Sequence, residues 1–280
     1  MKKISILYHG ECPDGFSGAW AAWKKFGKEA EYFPLKHGWP LPEDFRGREL
    51  YFIDFTPPTE IVKDLLRKNE KVVFIDHHVT AEETVKLGTD NLFDNGHSGA
   101  ALAWKYFHPE EKTPKFLLHV EDIDLWKFKL AGTKEVAAYL QLVDFDFKTW
   151  SKLAEDLEKP VTRKKYLELG KLVLKLEQKT VASLLEDAEE VEFMGKRALA
   201  FNSPVLKSDL GHAAVKKGYA IGIVWAHKEG KIVVSLRSSG KVDVAAIAQK
   251  FGGGGHKAAA GFSLSGSSDL PWKPAGISKS

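Results

Sequence analysis

The sequence predicts an α/β protein, with a mainly parallel sheet in its N-terminal domain, then a linker helix, then a smaller α/β C-terminal domain. Three observations carry this. Through the first half, short β-branched or aromatic runs alternate with helical patterns, which is how βαβ units read in sequence. Residues 160–187 then hold one long amphipathic pattern, after which short strand and helix patterns resume. At 280 residues the chain also exceeds the usual size of one domain, so two are expected. The expected boundaries are 1–150 for the first domain, 151–190 for the linker helices, 191–266 for the second domain and 267–280 for a flexible tail.

Three apolar runs matter most. Residues 4–8 lead into His9, residues 50–53 into Asp54 and residues 72–75 into Asp76. Open parallel sheets bind ligands outside the carboxyl ends of their strands, so these three residues should converge if their strands are parallel neighbours. Helical patterns fall at 14–26, at 57–68 with prolines suited to a helix start, at 98–107 and at 115–122. The linker takes its apolar face from Leu167, Val173, Leu174, Leu176, Val181, Leu184 and Leu185, and its Lys and Arg residues form a solvated face. In the second domain 197–201, 220–227 and 231–236 read as strands, and 210–216 and 244–251 as helices. The stretch from Ser267 is rich in Ser, Pro, Gly and Lys, as a loose tail would be.

Charge and composition narrow the partners. The net charge of +3, from 41 basic and 38 acidic residues, is too balanced to drive binding to long duplex nucleic acid, so any anion site must be local. The single cysteine, Cys12, excludes an intrachain disulfide and fits a reducing compartment. Residues 4–7 are too short for a signal-peptide core, and no run approaches the roughly 18 apolar residues of a membrane span. A soluble cytoplasmic protein without a membrane partner is the expectation, with a homodimer left open.

The densest ionisable constellation is His9, Asp14, Asp54, Asp76, His77, His78, Asp122 and Asp124. Imidazoles with carboxylates suit Mn²⁺, Zn²⁺ or Fe²⁺ better than Ca²⁺, which prefers oxygen cages. Gathering these groups at strand ends without a cation costs mutual repulsion, so divalent metal is the natural neutraliser, and the ligand count suits two ions. Single members have plainer roles: Asp54 before Thr56-Pro57-Pro58 fits turn chemistry. The Asp76-His77-His78 triplet after a buried strand does not, because adjacent desolvated imidazoles serve little packing purpose.

His9-Gly10-Glu11-Cys12-Pro13-Asp14-Gly15-Phe16, Phe52-Ile53-Asp54, Ile75-Asp76-His77-His78 and Glu121-Asp122-Ile123-Asp124-Leu125-Trp126 together resemble the four ordered motifs of the DHH phosphoesterase family. The resemblance implies a catalytic first domain with a pair of Mn²⁺ ions bridged by Asp54. One ion would take His9, the other Asp14, His77 and Asp122. Asp76 and His78 would orient ligands and contact phosphate, so the catalytic set is Asp54, Asp76, His77 and His78. Asp122 is preferred over Asp124 because Trp126 falls where the family often has an aromatic four residues later. Motif one departs from the family's frequent Asp-x-Asp, offering Cys12-Pro13-Asp14. Either the Cys12 thiolate fills the missing place and favours a softer metal, or that metal is weakly held, or Cys12 is an inert small residue. A cysteine phosphatase is disfavoured, since Gly18 stands where its arginine belongs.

In the second domain Gly252-Gly253-Gly254-Gly255-His256 precedes Lys257-Ala258-Ala259-Ala260-Gly261-Phe262. Bare backbone lets an anion approach closely, although a flexible hinge is an equally simple reading. No Gly-Lys-Ser/Thr follows, so this is not a P-loop. The segment is similar to the Gly-rich, histidine-containing motif of the DHH-associated C-terminal domain, and Arg237 matches a substrate-contacting arginine there. The resemblance thus implies that Arg237, Gly253, Gly254, Gly255 and His256 bind a terminal phosphate or base. A small second domain carrying such a grip favours short substrates. Hydrolysis of short oligonucleotides to mononucleotides, as by nanoRNases, is the leading expectation. A cyclic nucleotide or 3′-phosphoadenosine-phosphate substrate, or a catalytically weak nucleotide-binding protein, are the alternatives. Trp20, Trp23 and Trp126 suit base stacking, or simply the core.

Overall fold

The computed structural model describes residues 2–10 and 12–275, so Glu11 of the first motif and residues 276–280 of the expected tail lie outside the described residues. The chain begins β1 (Ile4–His9), α1 (Pro13–Phe26), β2 (Ala30–Leu35), β3 (Glu49–Ile53), α2 (Thr59–Lys68), β4 (Lys71–Asp76), α3 (Glu82–Val85) and β5 (Asp90–Phe93). It continues with α4 (Gly99–Phe107), α5 (Lys115–Asp124), α6 (Thr133–Leu140), α7 (Phe147–Glu158) and the long α8 (Pro160–Leu184). Two compact units divide inside α8, Met1–Leu174 and Lys175–Ser280.

The first unit is a five-stranded sheet in the order β2-β1-β3-β4-β5, parallel throughout. Its three central strands, β1, β3 and β4, are buried on both faces. Ile6, Tyr51, Ile53, Val73 and Ile75 pack with α1, α4, α5 and α7, while Leu7, Leu50, Phe52, Val72 and Phe74 pack with Val62, Leu65 and Val85 of α2 and α3. Burial on two faces is why these strands read as unbroken apolar runs. Each large side chain fully buried in this way contributes about 1.5–3 kcal/mol.

This strand order reverses between β1 and β3, and an open α/β sheet binds its ligands at the carboxyl edge beside such a reversal. His9 ends β1 and Asp54 follows β3 directly, so both stand at that point. Two glycines let helices crowd onto it. A Cβ on Gly15 would lie 2.2 Å from the His9 carbonyl oxygen, and one on Gly99 would lie 2.6 Å from Asp54 Cβ. A side chain at either place would push α1 or α4 off the strand ends.

The second unit follows as β6 (Glu189–Phe193), β7 (Lys196–Asn202), α9 (Lys207–Lys216), β8 (Ile221–Lys228), β9 (Lys231–Arg237), α10 (Val244–Gln249), β10 (Gly254–His256), β11 (Ala259–Ser265) and β12 (Lys273–Pro274). Its sheet runs β10-β11-β9-β8-β7-β6-β12, with only β7 and β8 parallel. Val181, Leu184 and Leu185 at the end of α8 pack onto Leu199, Phe201, Leu210 and Val224 of this unit.

Two boundaries differ from the sequence expectation. Residues 151–158 were expected to open the linker, but Leu153, Ala154 and Leu157 of α7 complete the first unit's core beside Trp150. A loose tail was expected from Ser267, yet Trp272 is buried against Phe193 and β12 pairs antiparallel with β6. The polar composition there conceals a single aromatic anchor.

Candidate metal centre

Asp54 organises the site. It sits in the left-handed region at φ +55, a backbone state that costs an ordinary residue about 1–2 kcal/mol and that Asp tolerates better than most. Its amide donates to the Ile75 carbonyl at 2.9 Å, pinning β3 to β4 beyond the last ladder pair. That turn aims its two carboxylate oxygens apart. Oδ1 lies 3.1 Å from His77 Nε2, while Oδ2 lies 3.3 Å from His9 Nδ1 and 3.4 Å from Cys12 Sγ. One buried carboxylate therefore faces two donor clusters, the geometry a bridging ligand needs.

The first cluster gathers Asp14, His77 and Asp124. His77 Nε2 is 3.8 Å from Asp14 Oδ2 and 3.6 Å from Asp124 Oδ2. Asp14 is fixed by the start of α4, its oxygens accepting from the Gly99 amide at 2.7 Å and the Ala100 amide at 3.0 Å. Burial, then the charges of Asp124 and Asp54, push the Asp14 carboxyl well above the usual range. Burial opposes a charged His77, but Asp54, Asp124 and Asp14 outweigh it and push its pKa up to about 10. Protons here do work that a divalent cation would do better.

The second cluster holds His9, Cys12 and Asp54. Cys12 is the N-cap of α1, its sulfur accepting from the Gly15 amide at 3.3 Å and lying 3.2 Å from His9 Nδ1. Burial, then Asp54 and Asp14, push the thiol well above its usual range, so it is neutral without a cation.

Asp76 shapes the turn that carries the two histidines. Its Oδ1 accepts from the His77 amide at 2.7 Å and the His78 amide at 3.0 Å, and lies 2.7 Å from His78 Nδ1. Its Oδ2 accepts from the Thr56 hydroxyl at 2.6 Å. Burial raises the Asp76 pKa, but His78 and Thr56 prevail and hold it below the ordinary value. So occupied, Asp76 orients its neighbours, and His78 keeps part of its imidazole exposed.

Asp122 is a correction. Its oxygens accept from the Lys129 and Leu130 amides, both at 2.9 Å, and tie down the loop after α5. Burial alone would raise its pKa, but those amides and the Thr133 hydroxyl hold it low. Residues two apart on a helix point about 200° apart, so Asp122 and Asp124 cannot share a site, and Asp124 is the one facing His77. Sequence reasoning also missed His37, just past β2, whose ring is 5.1 Å from that of His9 and stacks at 4.6 Å on Phe55. A lone histidine in a polar loop carries no signal until the topology sets β2 beside β1.

In the second unit the glycine run is not a hinge. Gly254 to His256 form β10, and a Cβ on Gly253 would lie 2.1 Å from the Gly261 carbonyl oxygen. His256 and Arg237 both register with Ala259, from opposite sides of β11, so they share one row of the sheet two strands apart. Arg237 donates to the Ser208 hydroxyl at 2.7 Å and to the Leu236 carbonyl at 2.9 Å. His212, also unforeseen, lies on the same helix as Ser208. Burial, then Arg237 and Lys216, lowers its pKa to about 4.

Residues 199–271 match the family model of the DHHA1 domain. The uncharacterised protein R106 of Acanthamoeba polyphaga mimivirus is 30% identical over 287 residues, covering 93% of this chain and 67% of that protein. A solved DHH domain, described as a member of the s1p family of ribosomal proteins, shares the fold with a TM-score of 0.52 at 14% identity over 93% of this chain and 82% of that one. The pGpG-specific phosphodiesterase PggH of Vibrio cholerae aligns with a TM-score of 0.47 at 14% identity, over 95% and 94% of the two chains. Among the described residues, no helix is long and apolar enough to cross a membrane.

Proposed function

We propose that this chain, which belongs to the DHH phosphoesterase family, is a metal-dependent phosphodiesterase that hydrolyses short oligonucleotides to mononucleotides in the manner of a nanoRNase. The observation that carries the reading is Asp54, whose two oxygens face separate donor clusters at 3.1–3.4 Å. A pair of divalent cations fits that donor set. Asp14, His77 and Asp124 with one Asp54 oxygen would hold one, and His9 with the other oxygen would hold the second. When bound, the ions supply Lewis-acid polarisation of a phosphoryl group and neutralise charge gathering on it. We assign Mn²⁺ to the carboxylate-rich position.

The chain's own groups divide the remaining work. Asp76 holds His78 at 2.7 Å, so that this imidazole presents a donor to a phosphoryl oxygen. Arg237 and His256, with the bare backbone of Gly253, Gly254 and Gly255, receive a terminal phosphate or base. Ser208 keeps the Arg237 guanidinium in place at 2.7 Å. In the same reading the enzyme is cytoplasmic, and light scattering decides between monomer and homodimer.

The test is hydrolysis by metal-stripped protein reloaded with Mn²⁺. The substrates are dinucleotides, two- to five-residue oligonucleotides, cyclic AMP and adenosine 3′,5′-bisphosphate. The expected result is preferential turnover of the dinucleotides, reduced about 10–100-fold in Asp76→Ala. Preference for cyclic AMP or the bisphosphate would replace the substrate. Tight nucleotide binding without turnover of any of them would replace catalysis by sensing.

A further inference from the structure

We propose that Cys12 is itself a metal ligand, making the His9 side of the centre a nitrogen-sulfur-oxygen site that selects Zn²⁺ or Fe²⁺ over Mg²⁺ and Mn²⁺. The inference rests on the two-cation reading above and assigns the ion class at one of its two positions. Three donor atoms of different chemistry form a near-equilateral triangle: His9 Nδ1 to Cys12 Sγ is 3.2 Å, Cys12 Sγ to Asp54 Oδ2 is 3.4 Å, and His9 Nδ1 to Asp54 Oδ2 is 3.3 Å. Imidazole, thiolate and carboxylate bound tetrahedrally at about 2.0–2.3 Å stand roughly 3.4–3.6 Å apart. The side chains thus already hold nearly the spacing that a shared cation requires.

Capping does not explain the sulfur. Cys12 begins α1 as its N-cap, a place where Ser, Thr, Asp or Asn does better, so helix initiation gives no reason for a thiol. The other donor cluster, Asp14, His77 and Asp124, contains no sulfur. Thiolate ligands favour soft or borderline ions, whereas carboxylates suit Mg²⁺ and Mn²⁺. The two positions joined by Asp54 therefore differ in kind, and a mixed-metal centre follows.

Cys12 is the only cysteine of the chain, so every sulfur signal has one source. Metal-stripped protein is titrated with Co²⁺ alone and its near-ultraviolet absorbance recorded for a thiolate-to-cobalt charge-transfer band. The parent chain is expected to show the band. Cys12→Ser and Cys12→Asp, which both keep a good N-cap, are expected to lose it while retaining the α-helical circular dichroism of the parent. Zn²⁺, but not Mg²⁺, is expected to slow alkylation of the thiol, and Zn²⁺ affinity to fall by more than about 10-fold in Cys12→Ser. Two bound Co²⁺ ions without the band, or a thiol equally reactive with and without saturating Zn²⁺, overturns Cys12 ligation and leaves the hydrolytic reading standing. The band without hydrolysis of any nucleotide in the panel does the reverse. Failure to bind Co²⁺ at all overturns both.

Discussion

The two sides of Asp54 present the same carboxylate to very different company. On one side, Asp14 and His77 are buried and Asp124 closes the group from its rim. On the other, a partly exposed imidazole and a half-buried thiol share the second oxygen. The first side concentrates negative charge that protons only partly relieve, as the raised pKa of His77 records. The second holds one carboxylate, an imidazole and a thiol. A divalent cation thus has the stronger electrostatic claim on the first side, while the softness of the ligands decides the second.

Removing the shared residue breaks the comparison most completely. Asp54→Asn keeps the shape but halves the acceptor capacity on which both clusters depend. Turnover is expected to fall by more than about 100-fold, beyond the cost of losing an outer-shell partner, and bound metal to drop from two ions to at most one. Elemental analysis of the variant beside single-turnover kinetics checks this. Two ions retained at parental affinity would mean that Asp54 is not shared.

Next in size is the contrast between Asp124 and Asp122. Asp124→Asn is expected to weaken metal binding on the His77 side about 10–100-fold while leaving the metal-free fold as stable as before, since the repulsion from Asp14 and Asp54 that it removes offsets the lost attraction to His77. Asp122→Asn is expected to retain metal yet lose about 1–3 kcal/mol of stability, because an amide oxygen replaces the carboxylate that accepts from Lys129 and Leu130. Chemical denaturation with parallel metal analysis separates the two. Metal loss in Asp122→Asn with parental stability would reverse the assignment.

Protons report on the same asymmetry. The folded pKa of His77 is raised to about 10 from an unfolded value near 6.5, so its contribution to stability is complete below pH 6.5 and is lost as pH rises toward 10. His78, raised to about 9 mainly through Asp76 against the opposing effect of burial, acts in the same direction. Metal-free protein should therefore lose stability between pH 7 and 10, as urea midpoints would register, and metal-loaded protein should lose less because a cation replaces the protons. Equal slopes with and without saturating Mn²⁺ would place the ion away from His77.

How much of this was legible in the sequence follows from what local pattern can encode. The parallel sheet and the gathering of His9, Asp54 and Asp76 could be read because each strand is an apolar run ending on a polar residue, and such ends share an edge. The choice between Asp122 and Asp124 could not, because it depends on the rotational phase of α5 and on loop amides seven and eight residues further on. His37 was invisible for want of the strand order, and Trp272 because one aromatic does not alter the composition of a polar stretch. Arg237 and His256 were named together only through the family resemblance, and the register through Ala259 is what sets them in one row.

Thr56 supplies the smallest and sharpest comparison, since in the sequence it reads as part of a Thr-Pro-Pro turn. Its hydroxyl donates at 2.6 Å to Asp76, whose other oxygen holds the amides of His77 and His78. Thr56→Val preserves the side-chain shape and removes that donor alone. If Asp76 acts by holding the turn, turnover should fall about 10-fold with little change in metal affinity on the His9 side, and Thr56→Ser should restore it. Because Asp76 lies between Thr56 and both histidines, the loss should appear mainly in kcat and spare KM. A pure KM effect, or failure of Thr56→Ser to rescue, would show that the turn holds its histidines without Thr56 and that the Pro57-Pro58 backbone alone sets its shape.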